Sequence, residues 1–222
     1  MIGRGAVPEN REMFQSGRIS QRGEPSWEVA YCFPRQGEWT DEDFLAFESS
    51  NFPVELVDGC VEFLPMPTYS HQRLVRFLFL QLDRAAQLTR RGQASFAPCP
   101  IRLWESRFRE PDVFFLSADR VARREDPPQG AEIVIEVLSQ GQTNRERDLI
   151  SKRNDYARAQ IPEYWIVDPE ELTVTVLVLA QEQYVVFGEF NSGTTASSVF
   201  LPEFSVSVTD LFASAQTDAE GH

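Results

Sequence analysis

The stretch Ile133-Val134-Ile135-Glu136-Val137-Leu138 decides how the rest of the chain is read. A strand with one wet face alternates apolar and polar residues. This run is nearly continuous and rich in β-branched residues, as in a strand covered on both faces. One carboxylate, Glu136, interrupts it. Downstream, Thr143 to Ala159 reads as a helix, and Pro162 would end it by driving its predecessor out of the α region. Tyr164-Trp165-Ile166-Val167 is the next strand, stopped by Asp168-Pro169. Leu172–Leu179 and Tyr184–Phe187 read as a hairpin, and Val208–Phe212 as a final helical turn.

Upstream, Pro111-Asp112-Val113-Phe114-Phe115-Leu116 is a short apolar strand with an acid at its start, followed by a polar excursion over Ala118–Gly130. Short strands are expected near 93–97 and 100–104. Ser70 can cap a helix over about 70–91, with Leu74, Phe77, Leu78, Leu82 and Ala85 as its apolar face and Gly92 as its left-handed stop. Val54–Val57 and Val61–Leu64 flank Asp58-Gly59, a strong hairpin signal. Thr40 with Asp43 resembles a capping box opening a helix over about 40–49. This order of elements predicts an α/β fold, a mixed central sheet with helices against it.

The chain has 222 residues, of which 42% are hydrophobic and 25% charged. That profile gives a core and one main domain over 38–212. Residues 1–37 lack a sustained apolar face and are expected to form a flexible arm. Residues 213–222 form a polar tail. No apolar run is long enough for a bilayer, and Met1 to Pro34 has no apolar signal core, so the expected location is cytoplasmic. Cys32, Cys60 and Cys99 are scattered, with no CxxC pair, and the histidines are His71 and His222. A Cys/His zinc site is therefore not expected.

The net charge of −13 disfavours general electrostatic binding to nucleic acid. The charge is unevenly spread, however. Residues 38–64 carry eight acids and no base, whereas residues 69–110 carry eight arginines against three acids, and residues 140–160 five bases against three acids. Positive charge thus gathers beside the segments that carry chemistry. The chain also has 20 arginines and a single lysine, Lys152.

Glu136 is hard to assign to solvent, because a buried carboxylate must be paired, protonated or bound to a metal. Asp112 begins its strand, and Glu55 lies between Val54 and Leu56 in the first hairpin; an edge strand facing solvent would also accommodate Glu55. If the three acids converge, they suit Mg²⁺ or Mn²⁺, hard cations that take oxygen ligands. Lys152 shares a helix face with Leu149 and Tyr156. That face is aimed at the sheet, against the alternative of a surface pair with Asp148.

Pro111-Asp112 and Glu136-Val137-Leu138-Ser139 look like the PD-(D/E)xK nuclease signature. The chain more closely resembles the Uma family of restriction-endonuclease-like proteins. The matching segments are Val54 to Gly59, Met66-Pro67-Thr68 through Ser70-His71, Pro111-Asp112-Val113, Glu136 to Ser139, Arg147-Asp148 through Lys152, and Tyr156 to Ala159 with Ile161 to Asp168-Pro169. They cover about residues 40–212. The third signature position is Leu138 rather than lysine. Lys152 is the one residue able to supply the missing ammonium, since the chain has no other lysine.

The resemblance implies a restriction-endonuclease-like fold and metal-dependent endonuclease activity on DNA. It implies Asp112, Glu136 and Lys152 as catalytic residues. Asp112 and Glu136 would hold one or two Mg²⁺ or Mn²⁺ ions, with Glu55 contributing directly or through water. His71 and Tyr156 would touch substrate or support the ligands. A homodimer is expected by analogy with the superfamily. The competing expectation is a catalytically inactive binding or assembly module of the same fold. A carboxylate-pair glycosidase would have no use for the lone lysine and ranks below both.

Overall fold

The computed structural model describes residues 22, 30, 32–48, 53–139 and 147–216. Most of the expected N-terminal arm, the first residues of the expected helix at 143, and positions 217–222 of the tail lie outside the described residues.

Helix α1, Asp41–Glu48, opens with the capping box: the Thr40 N–H donates to Asp43 Oδ2 at 3.1 Å, and the Asp43 N–H donates to Thr40 Oγ1 at 3.1 Å. Strands β1, Val54–Val57, and β2, Cys60–Phe63, form the expected hairpin. Asp58 and Gly59 both have positive φ, 48° and 75°, as its two-residue turn requires. A Cβ at Gly59 would lie 2.8 Å from the Gly37 carbonyl oxygen, so this glycine is also fixed by close packing.

Helix α2, Tyr69–Thr89, is capped by Thr68, whose hydroxyl accepts from the His71 N–H, and not by Ser70 as expected. Its buried stripe is Leu74, Val75, Leu78, Leu82, Ala85 and Ala86. Each of the leucines contributes about 2 kcal/mol by leaving water. Arg90, at φ 54°, is the left-handed cap, and its N–H returns to Ala86 O. The expectation that Gly92 ends the helix is thereby corrected. Gly92 begins strand β3, Gly92–Phe96, where a Cβ would meet Leu116 O at 1.9 Å. The glycine is needed for strand contact rather than for a turn.

Strands β4, Ile101–Trp104, β5, Arg107–Arg109, and β6, Val113–Ser117, follow. The polar excursion contains a short helix α3, Ala118–Arg123. Strand β7 is Ile133–Val137, buried at every position. A wide π-helical turn, Arg147–Lys152, leads into helix α4, Arg153–Arg158. Strands β8, Glu163–Asp168, β9, Thr173–Ala180, and β10, Gln183–Phe190, come next. A small pair, β11, Thr195–Ser197, and β12, Ser205–Ser207, precedes helix α5, Val208–Ala215.

The central sheet has the order β10-β9-β8-β7-β6-β3. Only β7 and β8 run parallel, joined across the segment that carries α4; the other pairs are antiparallel. The sheet is therefore mixed, with helices on both faces, as the sequence predicts. One face, with Val113, Phe115, Ile133, Ile135, Trp165 and Val167, packs on α2 and α5. The other, with Phe114, Val134, Tyr164 and Ile166, packs on Tyr156 and Ala157 of α4. This two-sided cover explains the continuous apolar run.

The first hairpin is not part of that sheet. It belongs to a second, antiparallel sheet, β2-β1-β5-β4, whose own core is Trp39, Phe44, Val54, Leu56, Val61 and Phe108. Strand β1 is thus interior, flanked by β2 and β5. The tie between the N-terminal segment and this sheet runs through Gln36 and Gly37: Gln36 pairs both ways with the Val61 backbone, and the Gly37 N–H donates to Gly59 O. No helix among the described residues is long and apolar enough to cross a membrane.

Candidate active site

Asp112 immediately precedes β6 and Glu136 lies in β7. The antiparallel register pairs Val113 with Ile135. Continued by one residue, it sets Asp112 against Glu136. Side chains alternate along strands, and Phe114 and Val134 both face α4. Asp112 and Glu136 therefore project from neighbouring strands on that same face.

Both carboxylates are held. Asp112 Oδ2 accepts from the Val137 N–H at 2.7 Å, and Asp112 Oδ1 is 3.1 Å from His71 Nε2. His71 reaches Asp112 because the Thr68 cap fixes the first turn of α2 beside the start of β6. Glu136 Oε1 accepts from the Tyr156 hydroxyl at 2.6 Å and is 2.9 Å from Lys152 Nζ. Tyr156 is fully buried. Burial, then the Glu136 and Glu55 carboxylates, push its hydroxyl well above the usual tyrosine range, so it stays a neutral donor.

Lys152 is only 2% exposed, which removes the alternative of a surface lysine paired with Asp148. Its Nζ bridges Glu136 and, at 3.3 Å, Glu55 Oε1. The helical phase read from the sequence holds despite the π turn: Leu149 and Tyr156 pack on the sheet beside it. π turns are rare and often mark functional segments.

Glu55 is 0% exposed, so the solvent-facing alternative for it is overturned. Its Oε2 accepts from Arg109 Nη1 at 2.7 Å, and its Oε1 accepts from the Glu110 N–H at 3.1 Å. Arg109 also binds Asp155 Oδ2, at 2.8 Å from Nε and 2.6 Å from Nη2, and Ser151 Oγ at 2.9 Å. Burial works against the Arg109 charge, but Glu55 and Asp155 outweigh it and raise its pKa further. Arg107 adds contacts to Asp155 and Asp58.

A cavity of about 270 Å³ opens onto this constellation. Its charged lining is Glu110, Asp112, Glu136 and Lys152, with His71, Val137 and Ser139 beside them; Leu64, Pro65, Met66 and Pro67 build one wall. Glu55 and Tyr156 do not line it. They contact the lining residues Lys152 and Glu136. The structure thus brings Asp112, Glu136, Lys152 and His71 to one cavity and sets the other two in contact with it.

Three carboxylates against one ammonium make the cavity wall a cation-attracting surface. The donors are hard oxygens. Mg²⁺ is commonly held by one or two carboxylates, with water and phosphate completing its shell, so the residues fit Mg²⁺ or Mn²⁺. Among the described residues, no three His, Cys, Asp or Glu side chains form a ready-made metal cage. Water and substrate would have to supply the remaining ligands.

Sequence reading missed Glu110, Arg109 and Asp155. The signal for the first two was present: Arg107-Phe108-Arg109 puts two arginines on one side of a strand, directly before Glu110-Pro111-Asp112. Asp155 carries no such mark, because a helix acid next to arginines is common at surfaces.

A crystal structure described as a "putative nuclease belonging to DUF820" from Anabaena variabilis superposes with a TM-score of 0.65 at 20% identity, covering 82% of this chain and 100% of that one. At that identity the likeness is one of fold. No curated protein matches the chain. The Uma2 family model, described as "Putative restriction endonuclease", matches residues 41–209 and so spans both sheets and every residue of the constellation; the chain belongs to that family.

Proposed function

We propose that this chain is a Mg²⁺- or Mn²⁺-dependent endonuclease that hydrolyses phosphodiester bonds, with DNA as its substrate. The observation that carries this reading is the meeting of Asp112, Glu136 and Lys152 at one cavity. The family description and the nuclease-described neighbour support it.

Asp112 and Glu136 would hold the cation. Such an ion, when bound, offsets charge on phosphate and lowers the pKa of water. The Val137 N–H and His71 fix the Asp112 carboxylate, while Tyr156 and Lys152 fix that of Glu136. Their rotamers are therefore set before substrate arrives, as a preorganised site requires. Lys152 lines the cavity and can donate to a phosphate oxygen or to an attacking water. Glu55, set back from the cavity, serves better as the counter-charge that holds Lys152 than as a direct ligand.

A duplex has two strands, and a two-fold dimer would supply two such sites. The net charge of −13 favours a second reading, an inactive binding module of the same fold. Calorimetric titration with Mg²⁺, followed by plasmid nicking with Mg²⁺ or Mn²⁺, separates the two. Cation binding with nicking supports the nuclease. Binding without nicking under either metal supports the module.

A further inference from the structure

We propose that Arg109 is the positioning residue of the site, acting through Glu55 and the π turn to set the Lys152 ammonium against Glu136. The inference rests on the nuclease reading for its catalytic consequence, but its geometric core does not.

Arg109 is 1% exposed and lies at the junction of the two sheets. Its guanidinium serves three elements at once: Glu55 in β1, Asp155 in α4, and Ser151 in the π turn. Ser151 directly precedes Lys152, and Glu55 is a carboxylate that holds Lys152. Arg109 therefore controls Lys152 from the chain side and from the charge side. A planar fork with five donors can do this; a point charge cannot.

Glu55 and Glu136 both reach the Lys152 ammonium, and without Arg109 the Glu55 carboxylate loses the guanidinium that fixes its Oε2. Glu55 is then no longer held in place, and the turn that carries Lys152 loses its tie through Ser151, so the ammonium is no longer fixed against Glu136. Arg109 does not line the cavity, so a loss on its removal would be transmitted through Lys152 rather than through substrate contact.

Lys152 is the sole lysine of the chain, which makes it directly observable. Under an amine-acetylating reagent, only Lys152 and the α-amino group can react as amines. Mass spectrometry of the intact, folded protein then reads how well Lys152 is held, without nucleic acid or metal. Arg109→Gln is expected to speed acetylation of Lys152 by at least about tenfold, the scale of losing a charged hydrogen bond. Because removing Arg109 leaves buried carboxylates and can prevent folding, Ser151→Ala and Asp155→Asn each remove one tie and are expected to move the rate in the same direction by less. Leu82→Ala, in the core on the opposite face of the sheet, controls for general loosening and is expected to leave Lys152 protected.

In the nicking assay, the folded variants should lose kcat by up to about 100-fold, as small misplacements of a reacting group do, with KM little changed. Protection of Lys152 as in wild type in every folded variant overturns the proposal. So does equal release by Leu82→Ala. A wild-type protein that never nicks DNA would sink the nuclease reading and leave the acetylation result standing.

Discussion

Lys152 Nζ lies 2.9 Å from Glu136 Oε1, and the Tyr156 hydroxyl reaches the same oxygen at 2.6 Å. One carboxylate oxygen thus gathers two donors from successive turns of one helical segment. A compact ammonium fits that place, and a wider guanidinium does not. Lys152→Arg is therefore expected to fold but lose cleavage by at least about 100-fold, as when a charge-stabilising donor is removed. Lys152→Ala removes the buried ammonium from between Glu55 and Glu136 and is expected to cost about 3–5 kcal/mol of stability, while binding Mg²⁺ at least as tightly as wild type because a repelling charge is gone. Circular dichroism, calorimetry and plasmid nicking check each part. Equal cutting by wild type and Lys152→Arg would refute the role.

Asp112 and Glu136 face the same cavity from adjacent strands. A cation that binds there stabilises the folded state, by about 2.7 kcal/mol when its concentration is 100 times Kd. Saturating Mg²⁺ is expected to raise the melting midpoint of wild type. Asp112→Asn and Glu136→Gln should lose most of that rise, because each replaces an anionic ligand with a neutral amide. Midpoints measured with and without Mg²⁺ decide it: a rise retained in both variants would place the cation elsewhere.

The sequence made the central sheet legible because β7 is buried on both faces and shows it as an unbroken apolar run. The site was legible for a related reason: Glu136 contradicts its surroundings, and Lys152 is the sole lysine. The second sheet was not. Strand β5 is only Arg107–Arg109, too short for a period, and its arginines read as surface until Glu55 and Asp155 are seen opposite them. The stop of α2 was misassigned because Gly92 offers two reasons to be glycine, and contact with Leu116 O, which lies far away in sequence, was the operative one. The π turn left no local mark at all.

Gln36 and Gly37 bond to the first hairpin, and Phe33 stacks on Trp39 with ring centroids 6.0 Å apart. Two truncations should therefore differ. Removing 1–29 is expected to leave the melting midpoint within about 2 °C of the full chain, whereas removing 1–37 should lower it by about 4 °C or more, the shift of roughly 1–2 kcal/mol in a domain of this size. Differential scanning calorimetry of both proteins measures this. Equal midpoints would show that these contacts carry no stability.

Tyr184 is buried between β10 and α4, and its hydroxyl donates to Ile161 O at 2.7 Å. Burial, then the Glu163 carboxylate, push its pKa far above the usual tyrosine value, while Arg153 pulls it back only in part. The unfolded chain releases that proton near pH 10. The folded chain does not, so it holds more protons than the unfolded chain above that point. Stability is then fully present below about pH 10 and falls as pH rises beyond it, by about 1.4 kcal/mol per unit for this one group. Tyr184→Phe has no such proton. At pH 8 the variant should be less stable by about 1 kcal/mol, the worth of one hydrogen bond. At pH 11 the gap should close or change sign, because only wild type has lost the titrating contribution. Urea unfolding of both proteins at pH 8, 9, 10 and 11 gives the difference directly. A gap that stays constant across this range would mean that Tyr184 ionises in the folded protein as it does in the unfolded one.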